Sequence, residues 1–251
     1  MTWLLSRSYS LIPACDMPFS NYEEFVRQTA DHPSVSAYKV GFVLGLTAGL
    51  PRVVEVTRRY TTKPIIYDHQ KAGTDIPETG KPFARVLKQA GVDCGILFPQ
   101  AGPVTMRAWV EALREEGVAV MVGGWMSHRG YTQSQGGFLA DEALVRLYQE
   151  AARLGVVDYV MPGNQPTVIE RLLRVVREEG IDPALYMPGF VAQGGSLEEA
   201  AEVAGPRWHG IVGRAIYESS DPVAALDKLW SPFQAAMRAQ TADVSQHRSD
   251  A

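Results

Sequence analysis

Asp68, Lys71 and Asp75, with His69 between them, put two acids, a lysine and a histidine into eight residues directly behind the apolar run Pro64-Ile65-Ile66-Tyr67. A strand that ends in opposite charges destabilises the fold unless those charges are paired. A lysine between two aspartates also keeps its proton, because opposite charges favour the ionised form. Clusters of this kind gather at functional sites, although a solvated loop with a structural ion pair gives the same pattern. A second chemical segment, Pro188-Gly189-Phe190-Val191-Ala192-Gln193-Gly194-Gly195, opens a helix at Ser196, with Glu199 placed for a capping box. Val212-Gly213-Arg214 adds a glycine and an arginine near the end of the chain. Backbone N–H groups at a helix start and a guanidinium fork together suit a phosphate group.

The elements that must position these residues follow from periodicity. Strand-like runs fall at 11–15, 37–41, 64–67, 94–98, 118–123, 157–161, 184–187 and 210–213, separated by helical patterns at 22–30, 47–60, 82–90, 104–116, 141–154, 167–179, 197–203 and 222–230. Gly91, Gly117, Gly155 and Gly180 stand after helices as left-handed caps. Strict β-then-α alternation with eight repeats predicts a single α/β domain, a (β/α)8 TIM barrel over residues 1–238, with an open doubly wound sheet as the alternative. The stretch 239–251 has no apolar period and is expected to be a disordered tail. Active sites of such barrels lie at the carboxyl ends of the strands. Asp16, Lys39, Asp68, Ser127, His128, residues 188–195 and Gly213-Arg214 all fall there, and this convergence is stronger than any single motif.

The chain has 251 residues, 46% hydrophobic and 21% charged, with a net charge of −4. That profile is an ordinary soluble globular protein without the basic footprint of a nucleic-acid binder. Cys15 and Cys94 sit in apolar runs and read as buried free thiols, with no metal-ligand or disulfide spacing. The opening Met1-Thr2-Trp3-Leu4-Leu5-Ser6-Arg7 has no charged leader before a long apolar stretch, and no run reaches membrane-spanning length, so a cytoplasmic location with no membrane partner is expected.

Asp75-Ile76-Pro77-Glu78-Thr79, Trp125-Met126-Ser127-His128, residues 188–195 and Val212-Gly213-Arg214-Ala215-Ile216-Tyr217 together resemble orotidine 5′-phosphate decarboxylase, in its short archaeal-type form. Ala14-Cys15-Asp16-Met17 and Tyr38-Lys39-Val40-Gly41 extend the resemblance, which runs in order from residue 11 to 229. The glycine and arginine pieces recur across phosphate-binding barrels, whereas Asp-Ile-Pro-Glu-Thr behind a charged strand end is far more specific. The resemblance implies decarboxylation of orotidine 5′-monophosphate to uridine 5′-monophosphate in pyrimidine biosynthesis, with no metal and no cofactor. It implies a catalytic array of Lys39, Asp68, Lys71 and Asp75. It also implies substrate contacts from Asp16 and Lys39 (ribose), Ser127 (pyrimidine amide), and Gln193 and Arg214 (phosphate), with Pro188 and Gly213 lining the same site. Finally, it implies a homodimer in which Asp75, Ile76 and Thr79 reach into the partner's site. His128 reads as structural.

The family pattern is Asp-x-Lys-x-x-Asp, and this chain departs from it. Asp68-His69-Gln70-Lys71-Ala72-Gly73-Thr74-Asp75 carries one extra residue before the lysine and one after it. Regular strand alternation would turn Asp68 and Gln70 inward and Lys71 outward. A bulge at His69-Gln70 would return Lys71 to the pocket, with Gly73 supplying the backbone freedom that brings Asp75 back. The alternatives are a nucleotide- or phosphate-binding barrel with altered chemistry, in which His69 becomes an extra acid or base, a related sugar-phosphate decarboxylase or synthase, and a non-catalytic dimeric scaffold.

Overall fold

The computed structural model describes residues 2–69, 73–189, 202–232 and 234–235. Eight parallel strands close into a barrel in chain order. They are β1 (Tyr9–Cys15), β2 (Tyr38–Gly41), β3 (Ile65–Asp68), β4 (Cys94–Leu97), β5 (Ala119–Gly123), β6 (Asp158–Val160), β7 (Ala184–Pro188) and β8 (Trp208–Val212). Closure is made by β1 and β8, which pair from Tyr9↔Trp208 to Pro13↔Val212. The predicted barrel is therefore the observed one, and the open-sheet alternative falls away. The expected tail lies outside the described residues.

Residues alternate between two cores, as the period of a strand requires. Ile12, Ala14, Ile66, Ile96, Met121, Val160, Tyr186 and Ile211 fill the barrel interior, closed at its amino end by Leu5. Leu11, Val40, Tyr67, Leu97, Val122, Tyr159, Leu185 and Val212 pack outward against the helices. The helices that cover this surface are α1 (Phe19–Thr29), α2 (Phe42–Thr47), α3 (Leu50–Arg58), α4 (Gly80–Ala90), α5 (Pro103–Glu115), α6 (Asp141–Arg153) and α7 (Pro166–Glu178). Among the described residues no helix is long and apolar enough to cross a membrane.

One expected element is corrected. The helix predicted at 47–60 begins only at Leu50, as α3, with a proline in its first turn; a separate helix that was not expected, α2, precedes it, and the two are parted at Gly49, which adopts φ 78°. Pro51 has no N–H to extend a preceding helix, and glycine accepts the left-handed region that the break requires. The four capping glycines do take positive φ, between 70° and 80°, and both cysteines are buried free thiols.

Candidate active site

Three inward positions converge at the carboxyl ends of β1, β2 and β3. On β1 the interior positions Ile12 and Ala14 lead to Asp16, the first residue past the strand; on β3 Ile66 leads to Asp68. Lys39 pairs in register with Ala14 and Ile66, while Asp68 pairs with Gly41, one inward step nearer the mouth. The lysine thus lies a rung below its two acids. Its Nζ donates to Asp68 Oδ2 at 2.9 Å and lies 3.8 Å from Asp16 Oδ2. The Lys39 side chain is only 8% exposed, against 34% for Asp16 and 16% for Asp68. Burial opposes the ammonium charge, but Asp68 first and Asp16 second more than offset it, so the Lys39 pKa is raised above that of an ordinary lysine. Asp16 Oδ1 is buried and accepts no hydrogen bond from the described residues. An acceptor held in this way suits a ligand hydroxyl.

The segment behind β3 takes a different course. Gly73 is buried with φ 87°, and a Cβ there would stand 3.2 Å from Pro99 Cα. Asp75 and Ile76 have exposed side chains, and their carbonyls are fixed from α5. Thr105 Oγ1 donates to Asp75 O at 3.0 Å, and Trp109 Nε1 to Ile76 O at 3.1 Å. The Thr79 hydroxyl also donates to Ile76 O, at 2.8 Å. The Asp75 carboxylate accepts the Ile76 N–H at 2.8 Å and is not part of the Lys39 ion-pair group. Within this chain Asp75, Ile76 and Thr79 therefore form a surface segment apart from Asp16, Lys39 and Asp68.

His69 does not enter the mouth. The Tyr67 hydroxyl lies 2.6 Å from its Nδ1, and its ring meets Phe83 edge-on with centroids 5.8 Å apart. Tyr67 belongs to the outer core, so outward alternation continues through His69, and the idea of His69 as an extra acid or base in the pocket is corrected. Gln70, Lys71 and Ala72, including half of the expected bulge, lie outside the described residues.

After β5 the strip from Gly124 to Ser127 is held by neighbours that sequence reasoning missed. The Tyr148 hydroxyl on α6 accepts the Gly124 and Trp125 N–H groups at 3.0 and 3.2 Å. Gln165 Nε2 donates to Met126 O at 3.0 Å, and Asn164 Nδ2 to Ser127 O at 3.0 Å. Asn164 and Gln165 stand in the loop after β6, a position that the carboxyl-end rule marks; Tyr148, Thr105 and Trp109 lie within helices and carry no such signal. Gly123 is needed where it stands, because a Cβ would meet the Phe98 ring at 2.6 Å. His128 is exposed, with its ring edge against Tyr131. Pro188 ends β7 and accepts the Gly163 N–H at 2.8 Å. Gly213 and Arg214 follow β8 directly, with Arg214 exposed at the start of the short helix Arg214–Tyr217. Gln193 and the Ser196 capping box lie outside the described residues.

A buried lysine under two aspartates, and a glycine–arginine pair at the same mouth, define an enzyme-like barrel whose site is built on strand ends. Residues 10–229 match the family described as Orotidine 5′-phosphate decarboxylase / HUMPS family, and the chain belongs to that family. It is 31% identical over 234 residues to the orotidine 5′-phosphate decarboxylase of Methanosarcina barkeri, covering 92% of this chain and 97% of the relative. It is 32% identical over 213 residues to that of Pyrococcus abyssi, covering 84% and 92%. Among solved structures, orotidine 5′-monophosphate decarboxylase from Methanocaldococcus jannaschii complexed with inhibitor BMP aligns with a TM-score of 0.76 at 25% identity, covering 89% of this chain and 97% of the other.

Proposed function

We infer that this protein decarboxylates orotidine 5′-monophosphate to uridine 5′-monophosphate, the reaction for which its relatives are named, without a metal or cofactor. The observation that carries this reading is the Lys39 group: a buried, charged lysine shared by Asp68 and Asp16 at the mouth. Such a group is a preorganised electrostatic frame. Asp16, whose Oδ1 accepts no hydrogen bond from the described residues, takes a ribose hydroxyl together with Lys39. Ser127 hydrogen-bonds the pyrimidine amide, and Gln193, Gly213 and Arg214 hold the phosphate beside Pro188. The bond between the ring carbon and the carboxylate breaks, CO2 leaves, and the electron pair stays on the ring carbon. The Lys71 ammonium, held by Asp68 and by the partner's Asp75, stabilises that charge and delivers its proton there. Phosphate binding remote from the ring organises the site for this step.

The dimer belongs to the same reading. Five of the six large exposed hydrophobics among the described residues, Phe42, Leu46, Ile76, Val104 and Phe138, lie on segments that leave strands β2 to β5. Val104 is 71% and Phe138 99% exposed. An apolar set on that face supports a two-fold contact in which Asp75, Ile76 and Thr79 act in the partner's site. Mixing inactive Lys71→Ala and Asp75→Asn subunits tests it. Half of the dimers would be mixed, each with one intact site, so about a quarter of the sites should recover. Proven subunit exchange with no recovered activity contradicts shared sites.

The reaction itself is tested by incubating purified protein with orotidine 5′-monophosphate and identifying the product. Turnover to uridine 5′-monophosphate, unchanged by chelator, is expected. No turnover together with firm binding of uridine 5′-monophosphate would instead support a nucleotide-binding barrel, and turnover of a sugar phosphate that chelator abolishes would support the sugar-phosphate alternative.

A further inference from the structure

The structure fixes the chain on both sides of residues 70–72, which lie between Asp68 and Asp75. On the strand side, Tyr67 is buried in the outer core, and its hydroxyl sits under α2 at Gly45, where a Cβ would come within 3.3 Å of it. That hydroxyl lies 2.6 Å from His69 Nδ1. Burial, with the Asp68 charge beside it, raises the Tyr67 pKa, so the phenol keeps its proton, and the histidine tautomer sets which of the two groups donates. The His69 ring packs on Tyr67 and Phe83, with centroids 5.5 and 5.8 Å away. Phe83 in turn lies 5.0 Å from Trp109, whose indole N–H holds Ile76 O. On the far side, Gly73 is wedged against Pro99. One aromatic row, Tyr67–His69–Phe83–Trp109, thus ties together the exit from β3 and the start of the Asp75–Thr79 segment.

We propose that His69, clamped by the Tyr67 hydroxyl, is a positioning residue that fixes the carboxyl end of β3 and thereby the carboxylate of Asp68. The inference rests on the decarboxylase reading for its link to turnover. An outward anchor one residue past Asp68 holds the strand end before substrate arrives. Misplacement by about 1 Å costs as much as 10²-fold in rate, so losing one anchoring hydrogen bond should cost turnover about 10-fold.

The test compares Tyr67→Phe, His69→Phe, the double variant and His69→Asn, whose amide stands in for Nδ1. The readouts are kcat, KM, affinity for uridine 5′-monophosphate, and amide hydrogen exchange over residues 69–79 in the free enzyme. Each single phenylalanine variant should lower kcat about 10-fold while KM and product affinity stay within about twofold, and the double variant should be no worse than either single, since both remove one interaction. His69→Asn should recover most of the rate, and exchange over 69–79 should quicken in the phenylalanine variants only. Unchanged kcat and exchange in both phenylalanine variants, or independent losses that multiply in the double variant, would overturn the clamp. A wild-type protein without decarboxylase turnover defeats the functional reading instead, and the exchange comparison then decides the clamp alone.

Discussion

At the carboxyl mouth, Asp16 and Asp68 share the Lys39 ammonium and the group stays charged; at the amino end of the same barrel, Asp158 faces the interior with no cation in ion-pair contact among the described residues. Asp158 accepts the Tyr186 hydroxyl at 2.9 Å and the Leu4 N–H at 3.2 Å. Burial outweighs these bonds and pushes its pKa up to about 6. Beside it, burial and the nearby Arg207 and Arg7 push His209 down to about 3, so this ring is neutral, with Nδ1 paired to Ser10 Oγ at 2.8 Å. One end of the barrel is organised to hold charge and the other to suppress it. Buried charge that is kept, at the end where this fold places its chemistry, is the physical mark of a site; buried polarity that is neutralised is the mark of a floor.

The comparison breaks if the mouth behaves like the floor. In ligand affinity the largest expected difference is at Arg214, which follows β8. In the proposed phosphate site Arg214→Ala removes a charge-assisted hydrogen bond, worth about 1.5–3 kcal/mol, so affinity for uridine 5′-monophosphate should fall roughly 10- to 100-fold by calorimetry, with little change in thermal stability. Unchanged affinity would remove the phosphate from this strand end.

A smaller effect sharpens the other side. The Asp158 pKa is higher in the fold (about 6) than the ordinary value of 3.8, so the folded protein holds a proton that the unfolded chain releases. Its contribution is fully present below about pH 4 and is lost as the pH rises through about 6, a change of about 3 kcal/mol. Asp158→Asn should flatten the pH dependence of urea unfolding across that window, leaving turnover at neutral pH nearly unchanged. An equally steep slope in the variant would mean that Asp158 is not the group responsible.

The fold was legible because eight strand runs, their helices and the capping glycines repeat one local rule, and because parallel strands buried on both sides read as apolar runs. Asp16, Lys39 and Asp68 were legible for a related reason: alternation alone carries them inward from Ala14, Ala37 and Ile66. Helix α2 and the true start of α3 were hidden because six residues are too few for a helical period to show and because the apolar period of α3 masks the proline. The Tyr148, Thr105 and Trp109 supports were hidden because a helix residue that reaches back to a loop N–H or carbonyl looks the same in sequence as one that packs. The outward turn of His69 follows strand alternation, but its partners Tyr67 and Phe83 are chosen by tertiary packing, which local pattern does not encode.

In the proposed reaction the Lys71 ammonium performs the proton transfer while Lys39 frames the site. Single-turnover rates and product affinities of Lys71→Ala and Lys39→Ala measure it most directly. Lys71→Ala should lower the chemical step roughly 10²- to 10⁴-fold, as loss of a general acid does, while uridine 5′-monophosphate still binds within a few-fold of wild type. Lys39→Ala should weaken product binding as well as slow chemistry, since it leaves Asp16 and Asp68 without their shared cation. An active Lys71→Ala enzyme, with Lys39→Ala the only lysine change that stops chemistry, would contradict the account and assign the proton to the buried lysine instead.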